Sequence, residues 1–286
     1  MKTLHHALRR LIRLTALPVF LAMSATGHAD YQENLLVGWS FNNGTLLSDL
    51  GSLAPVQWSE SGIGANQTTT FNPDGTVTLG TGRELYTTAI NNTAFPGLAD
   101  GLTLWAEVRL ESVPGVGTTL LMGLLKSPVI TATQNTTAIA SFRGASSQPG
   151  VGYTGRVTDG TDTVLLHQDS GLSTIEKDEM FTVAIRFREL GGVFTYDTLI
   201  NGVVKTGTLS PGSEFELQDF TALVLGRGLE AGGVKLTFNE VRLYDAFLSN
   251  GQIAAITAIP EPGSIALCLS ATVVAGALAR RRRIRY

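Results

Sequence analysis

The most regular pattern in the chain is alternation at period two. Leu102, Leu104, Ala106, Val108 and Leu110 fall on one side of an extended segment, with Thr103, Glu107 and Arg109 opposite. That spacing predicts a half-buried β-strand, because successive side chains of a strand point to opposite faces. The pattern returns with Phe181, Val183, Ile185 and Phe187 inward and Thr182, Arg186 and Arg188 outward. Gly191-Gly192 follows, then an apolar segment from Val193 to Ile200, so a hairpin is expected. Asn201-Gly202 separates that segment from Val203-Val204 and supplies the residue types that tolerate positive φ in a type I′ turn. Asp159-Gly160 sits similarly between Arg156-Val157 and Thr163-Val164. Further strands are predicted at Leu35 to Phe41, Thr76 to Leu79, Thr119 to Leu125, Thr137 to Phe142, Ala222 to Leu225 and Leu236 to Tyr244. One short helix is expected where Ser249 and Gln252 stand at capping-box spacing before Ile253 and Ile256. Many short strands with turn signals between them indicate an all-β sandwich or jelly roll, and no Pro-rich or Ser-rich linker divides the stretch from residue 30 to 258.

Charge is distributed unevenly. All 24 acidic residues lie between Asp30 and Glu261, where only 12 of the 21 basic residues fall, giving that stretch a net charge of −12. Such a surface argues against binding a phosphate backbone, which draws affinity from clustered Lys and Arg. Nucleic acid is therefore not an expected partner. The single cysteine, Cys268, is near the C-terminus, and the stretch from 30 to 258 has one histidine, His167. Disulfide frameworks, thiolate nucleophiles and two-His metal motifs are excluded from it. Any enzyme chemistry is narrowed to carboxylates.

The two ends read as addresses. Residues 1 to 29 combine a basic region up to Arg13, an apolar run from Leu14 to Ala25 and the small-residue ending Gly27-His28-Ala29. This is the form of a secretory signal peptide cleaved after Ala29. Residues 259 to 286 begin with Pro260-Glu261-Pro262, continue with the fifteen-residue run Ile265 to Ala279, and end in Arg280, Arg281, Arg282 and Arg283 before Ile284-Arg285-Tyr286. The run is shorter than the about 20 residues that span a bilayer unaided. Flanking residues lengthen it, and the arginines place its end on the cytoplasmic side, so a single transmembrane helix with the acidic domain facing outward is expected. This order of Pro-Glu-Pro, short helix and arginine cluster resembles the PEP-CTERM sorting signal of Gram-negative bacteria. The resemblance implies recognition and cleavage by an exosortase, transient contact with the inner membrane, and release to the cell surface or the extracellular space.

The middle also carries a resemblance. Leu36-Val37-Gly38-Trp39-Ser40-Phe41-Asn42, the hairpin from Phe181 to Val204, and Phe238-Asn239-Glu240-Val241-Arg242-Leu243-Tyr244-Asp245 before Leu248-Ser249 resemble the laminin G-like, concanavalin A-like jelly roll of bacterial surface proteins. The family's aspartate is Asn239 here. The resemblance implies one jelly-roll sandwich over residues 30 to 258; together with the PEP-CTERM-like tail, whose families are associated with exopolysaccharide-producing envelopes, it implies a non-catalytic carbohydrate-binding or matrix role. Two alternatives stay open: a structural or adhesive protein that binds another surface protein, and a glycan hydrolase or lyase.

Chemistry is sparse in the sequence itself. The strand of alternating acids, E-x-D-x-x-E, that laminarinase-like relatives carry does not occur. The dense acidic group Glu176-Lys177-Asp178-Glu179 precedes an apolar strand and reads as a solvated turn. Calcium needs six to eight oxygens, and the candidate donors are Asp74 in Asn72-Pro73-Asp74-Gly75 and Asp159 and Asp162 in the next acidic turn. Both segments also read well as plain turns. For sugar stacking, Trp39 and Trp105 lie in predicted strands and point to a core role. Trp58 and Tyr153, in Gly- and Ser-rich surroundings, are the candidates for exposed contacts. The net charge of −12 favours neutral over acidic glycans.

Overall fold

The structure is a computed structural model that describes residues 32–62, 68–90, 101–111, 117–125, 138–146, 152–158, 163–165, 178–190, 193–208, 222–228 and 235–257. The predicted signal-peptide end at Ala29 and the sorting-tail residues Pro260, Glu261, Pro262 and Arg280 to Arg283 lie outside these residues, as do Asp159 and Asp162.

The strands are β1 (Leu35–Trp39), β2 (Ser59–Gly62), β3 (Thr69–Phe71), β4 (Val77–Leu79), β5 (Arg83–Thr87), β6 (Leu102–Leu110), β7 (Gly117–Leu125) and β8 (Ala138–Ser146), followed by β9 (Gly152–Thr158), β10 (Thr163–Leu165), β11 (Met180–Leu190), β12 (Val193–Ile200), β13 (Val203–Thr208), β14 (Ala222–Gly228) and β15 (Leu236–Tyr244). A short helix, α1 (Asn250–Thr257), follows. The strands form two antiparallel sheets. One runs β13-β12-β11-β6-β15-β4-β3, with β1 also paired to β15; the other runs β10-β9-β8-β7-β14-β5-β2.

The core lies between the sheets and is built from the positions that alternate inward. Leu104, Ala106 and Val108 of β6, Val183, Ile185 and Phe187 of β11, and Phe238, Val241 and Leu243 of β15 meet Leu223 and Leu225 of β14, all buried. Each such side chain contributes about 1.5–3 kcal/mol on leaving water. The β12–β13 turn is as the dipeptide predicts: Asn201 and Gly202 have φ of 47° and 78°, matching a type I′ hairpin. Asn201 also ties the turn to β11, its N–H donating to Thr182 O and its Oδ1 accepting from Thr182 N, both at 2.9 Å.

The expectation that β6 and β11 are only half-buried needs correction. On the outward face of the first sheet Thr103, Trp105, Thr182 and Arg186 are also buried. The reason is that the chain after β15 folds back over this face. Leu248, Ile253 and Ile256 pack with Leu35, Trp105, Ala184, Leu199 and Tyr244 into a second apolar cluster. Thr103 pins the return, its Oγ1 donating to Ala246 O at 2.6 Å and accepting from Leu248 N at 3.0 Å. The helix starts with the predicted capping box: Gln252 N donates to Ser249 Oγ (3.2 Å) and Ser249 N to Gln252 Oε1 (2.8 Å). Eight residues are too few for a helix to persist alone, so the two buried isoleucines, worth more than the cap's roughly 1 kcal/mol, hold it in place.

Candidate functional site

Beside the helix, the outward face of the first sheet is left open as a groove of about 610 Å³. Its floor is made by β15 and β6, its far wall by the β3–β4 turn and the segment after β1, and its near wall by Ile256 and Thr257 at the end of α1.

The central feature is a β-bulge. The pairing of β15 with β6 shifts register between Phe238 and Glu240. Phe238, Val241 and Leu243 all face the inter-sheet core, so the extra residue places both Asn239 and Glu240 on the outward side. Such a bulge re-aims side chains without losing the core register on either side of it. Glu240 stands opposite Glu107 of β6, and Asn239 Nδ2 donates to Glu107 Oε2 at 2.6 Å. Two carboxylates on facing positions would repel, and each has a separate counterpart. Arg242 clamps Glu240 through Nε (2.7 Å) and NH2 (2.8 Å) and reaches Tyr244 OH with NH1 (3.3 Å). Its guanidinium also lies over the Trp105 ring, 5.7 Å from the centroid.

Burial pushes the Glu240 carboxyl above its ordinary range, the Arg242 bonds oppose that, and the charges of Glu107 and Asp49 add to the rise. Burial acts on Arg242 in the other direction, but its bonds to Glu240 and the neighbouring Tyr244 outweigh it and hold the guanidinium above its usual value. The two bonds from Arg242 therefore fix the Glu240 side chain in the floor.

At the end of the groove a second polar chain runs across the strands. Asn72 Nδ2 donates to Thr76 Oγ1 (2.9 Å) and Thr78 Oγ1 (2.8 Å), Thr78 and Thr237 hydroxyls share a bond of 2.7 Å, and Thr237 donates to Glu111. Glu111 also takes Arg109 NH2 at 3.2 Å and the Lys235 ammonium. Partial burial raises its carboxyl, but the bonds from Lys235, Thr237 and Arg109 win and hold it at about 2. The β3–β4 turn locks onto the segment after β1 at Gly75, whose φ is 85° and where an added Cβ would meet Asn42 Oδ1 at 2.0 Å.

The residues singled out from sequence fall out as follows. Trp58 is not an exposed contact: it is 1% exposed and packs on Trp39 with ring centroids 4.5 Å apart. Its sugar-stacking reading fails because the segment before β2 carries the indole into the inter-sheet core. Tyr153 lies in β9, and its side chain is outside the described residues. Asp74 does line the groove. Its Oδ1 closes the turn by accepting from Thr76 N (3.1 Å) and Thr76 Oγ1 (2.7 Å), bonds that lower its carboxyl below the usual range. Among the described residues no three His, Cys, Asp or Glu side chains gather as metal ligands. Glu107, Glu240 and Arg242 were not singled out by sequence reasoning. The signal was present in Phe238-Asn239-Glu240-Val241, where two polar residues between inward apolar ones break the alternation and mark a bulge.

No protein-family model matches the chain, and no curated protein does. Solved structures are similar. The binding domain of botulinum neurotoxin DC, solved with rat synaptotagmin II, aligns with a TM-score of 0.56 at 11% identity, over 79% of this chain and 52% of that one. The Trypanosoma rangeli sialidase aligns with a TM-score of 0.54 at 13% identity, over 78% of this chain and 32% of that one. Domain 4 of the arabinanase AbnA from Geobacillus stearothermophilus, solved with arabinotriose, aligns with a TM-score of 0.52 at 16% identity, over 77% of this chain and 98% of that one. The chain spans about half the length of the neurotoxin domain it matches. At these identities the likeness establishes the fold, a two-sheet antiparallel β-sandwich of the jelly-roll kind.

Proposed function

We propose that this chain is an exported bacterial surface protein whose laminin G-like sandwich binds carbohydrate in the outer-face groove without turning it over. A signal peptide ending at Ala29 directs export, and the tail from residue 259 holds the protein at the inner membrane until an exosortase removes it. The observation that carries the binding reading is the groove itself: hydrogen-bonding side chains from the β3–β4 turn, β6 and β15, among them Thr76, Glu107, Asn239 and Arg242, converge on an open cleft. Sugar recognition uses such planar amide, carboxylate and guanidinium groups on a rigid sheet. The arabinotriose-bound arabinanase domain, a sandwich of similar fold, supports a saccharide in this role.

The facing pair of Glu107 and Glu240 favours a second reading, glycoside hydrolysis, which needs two carboxyls flanking a bond. The Arg242 clamp counts against it, since a general acid must release its proton to the leaving group. Retention of the purified protein on immobilised neutral and acidic polysaccharides, with calcium or with chelator, tests the proposal. Retention that weakens in Asn239→Ala supports binding in the groove. A protein held by no polysaccharide overturns the carbohydrate reading, and sustained release of reducing ends, lost in Glu107→Gln, transfers the conclusion to hydrolysis.

A further inference from the structure

The hydrogen bonds in the groove are unbalanced in a way that specifies a ligand. Trp105 lines the floor and is 2% exposed, yet its indole N–H has no acceptor among the described residues. Arg109, also lining the groove, has a buried Nε–H in the same condition. A buried donor without a partner is costly and uncommon in a well-packed protein. Acceptors are left over as well. Among the described residues Glu107 receives only the Asn239 amide, on Oε2, and both bonds to Asp74 fall on Oδ1.

Ligand classes satisfy this set differently. A carboxylate or sulfate group accepts but does not donate, so it would serve Trp105 and leave Glu107 facing a like charge. An ammonium group donates but does not accept. A hydroxyl does both. The charge of the lining acts in the same direction: the carboxylates of Asp74, Glu107 and Glu240 stand against the guanidinium groups of Arg109 and Arg242, three against two.

We infer that the groove selects a neutral, hydroxyl-bearing sugar, with the Trp105 indole N–H donating to one sugar oxygen and Glu107 accepting from a sugar hydroxyl. This rests on the carbohydrate reading above and adds the residues that set its specificity. Trp105 is then a binding residue as well as part of the apolar cluster beneath α1.

The chain has three tryptophans, so ¹⁵N-indole NMR of the full chain in detergent gives three N–H signals. Trp39 is an internal reference, its indole already bonded to Val56 O at 3.1 Å. Titration with a neutral glucan or arabinan oligosaccharide should shift the Trp105 signal and slow its hydrogen exchange, with Trp39 unmoved. Glu107→Gln keeps an acceptor for Asn239 but weakens the one facing the ligand. It should lower neutral-sugar affinity about tenfold, the scale of one charged hydrogen bond, while uronate oligosaccharide binding stays the same or improves. Saccharide binding that leaves Trp105 unmoved, or a Glu107→Gln protein that loses neutral and uronate binding alike, overturns this inference and leaves the carbohydrate reading standing. Binding of neither saccharide to the wild type overturns both.

Discussion

Two ionised side chains show how differently a carboxylate can be used in this fold. Asp197 is almost fully buried against Arg186, whose Nε and NH2 reach Oδ2 at 2.7 and 2.6 Å while NH1 donates to Leu248 O at 2.5 Å. The Phe247 ring lies over the same guanidinium, 4.4 Å from its centre. Replacing a buried ion pair by apolar groups can be nearly neutral, but removing one partner strands the other charge. Asp197→Ala should therefore cost about 3–5 kcal/mol, read from the shift in urea midpoint. Glu111 is partly exposed and acts through pH instead. Its folded value of about 2 lies below the ordinary 4.5, so the unfolded chain binds its proton first. Its contribution is fully present above pH 4.5 and is lost as the pH falls toward 2. The stability difference between the wild type and Glu111→Gln should be largest at neutral pH and shrink across that window, measured by urea denaturation at each pH.

At the scale of elements, β15 and α1 together make the site. β15 pairs with β6 along most of its length, with β4 near its start and with β1 near its end, so a bulge in its middle sits at the centre of the sheet. α1 covers part of the outer face and forms one wall of the groove beside it. Its capping box is the feature most easily tested without touching that groove. Ser249→Ala removes the acceptor for Gln252 N and should destabilise the protein by about 1 kcal/mol. Amides of the first helical turn should exchange faster, while the β6 and β11 amides keep their protection. Equal acceleration in all three elements would mean that the helix is part of the cooperative core.

For the molecule as a whole, the fold places its chain exit beside its candidate binding site: Ile256 and Thr257 line the groove immediately before the tail begins. On the reading proposed above, the tail's short apolar run and terminal arginines serve as a temporary membrane hold. Intact-mass analysis of surface material from the native host should give a mature protein lacking Ile265 to Tyr286. The same chain made in a host without an exosortase should keep its tail in the membrane fraction. A wild-type surface protein that retains the tail would restore a permanent anchor.

The sequence by itself determined the strands that alternate cleanly, the Asn201-Gly202 turn and the Ser249–Gln252 cap, because each rests on contacts within a few residues. Period two fixes which side chains of β6 and β11 enter the inter-sheet core, and positive φ at a turn selects Asn and Gly locally. The short strands β2 (Ser-Glu-Ser-Gly), β3 (Thr-Thr-Phe) and β5 (Arg-Glu-Leu-Tyr-Thr) escaped notice because they hold too few apolar residues to show an alternation, whereas the equally short Val-Thr-Leu of β4 does. Trp58 was misplaced because composition around a residue says little about burial when the enclosing surface comes from distant strands. The same limit hid the groove. Glu107 and Glu240 are 133 positions apart and meet only because β15 pairs with β6, and Trp105 became buried only because α1 folds back over the outer face. Local pattern specifies a strand's two faces; what covers each face is decided by the tertiary fold, which here leaves a cleft open on the outer face.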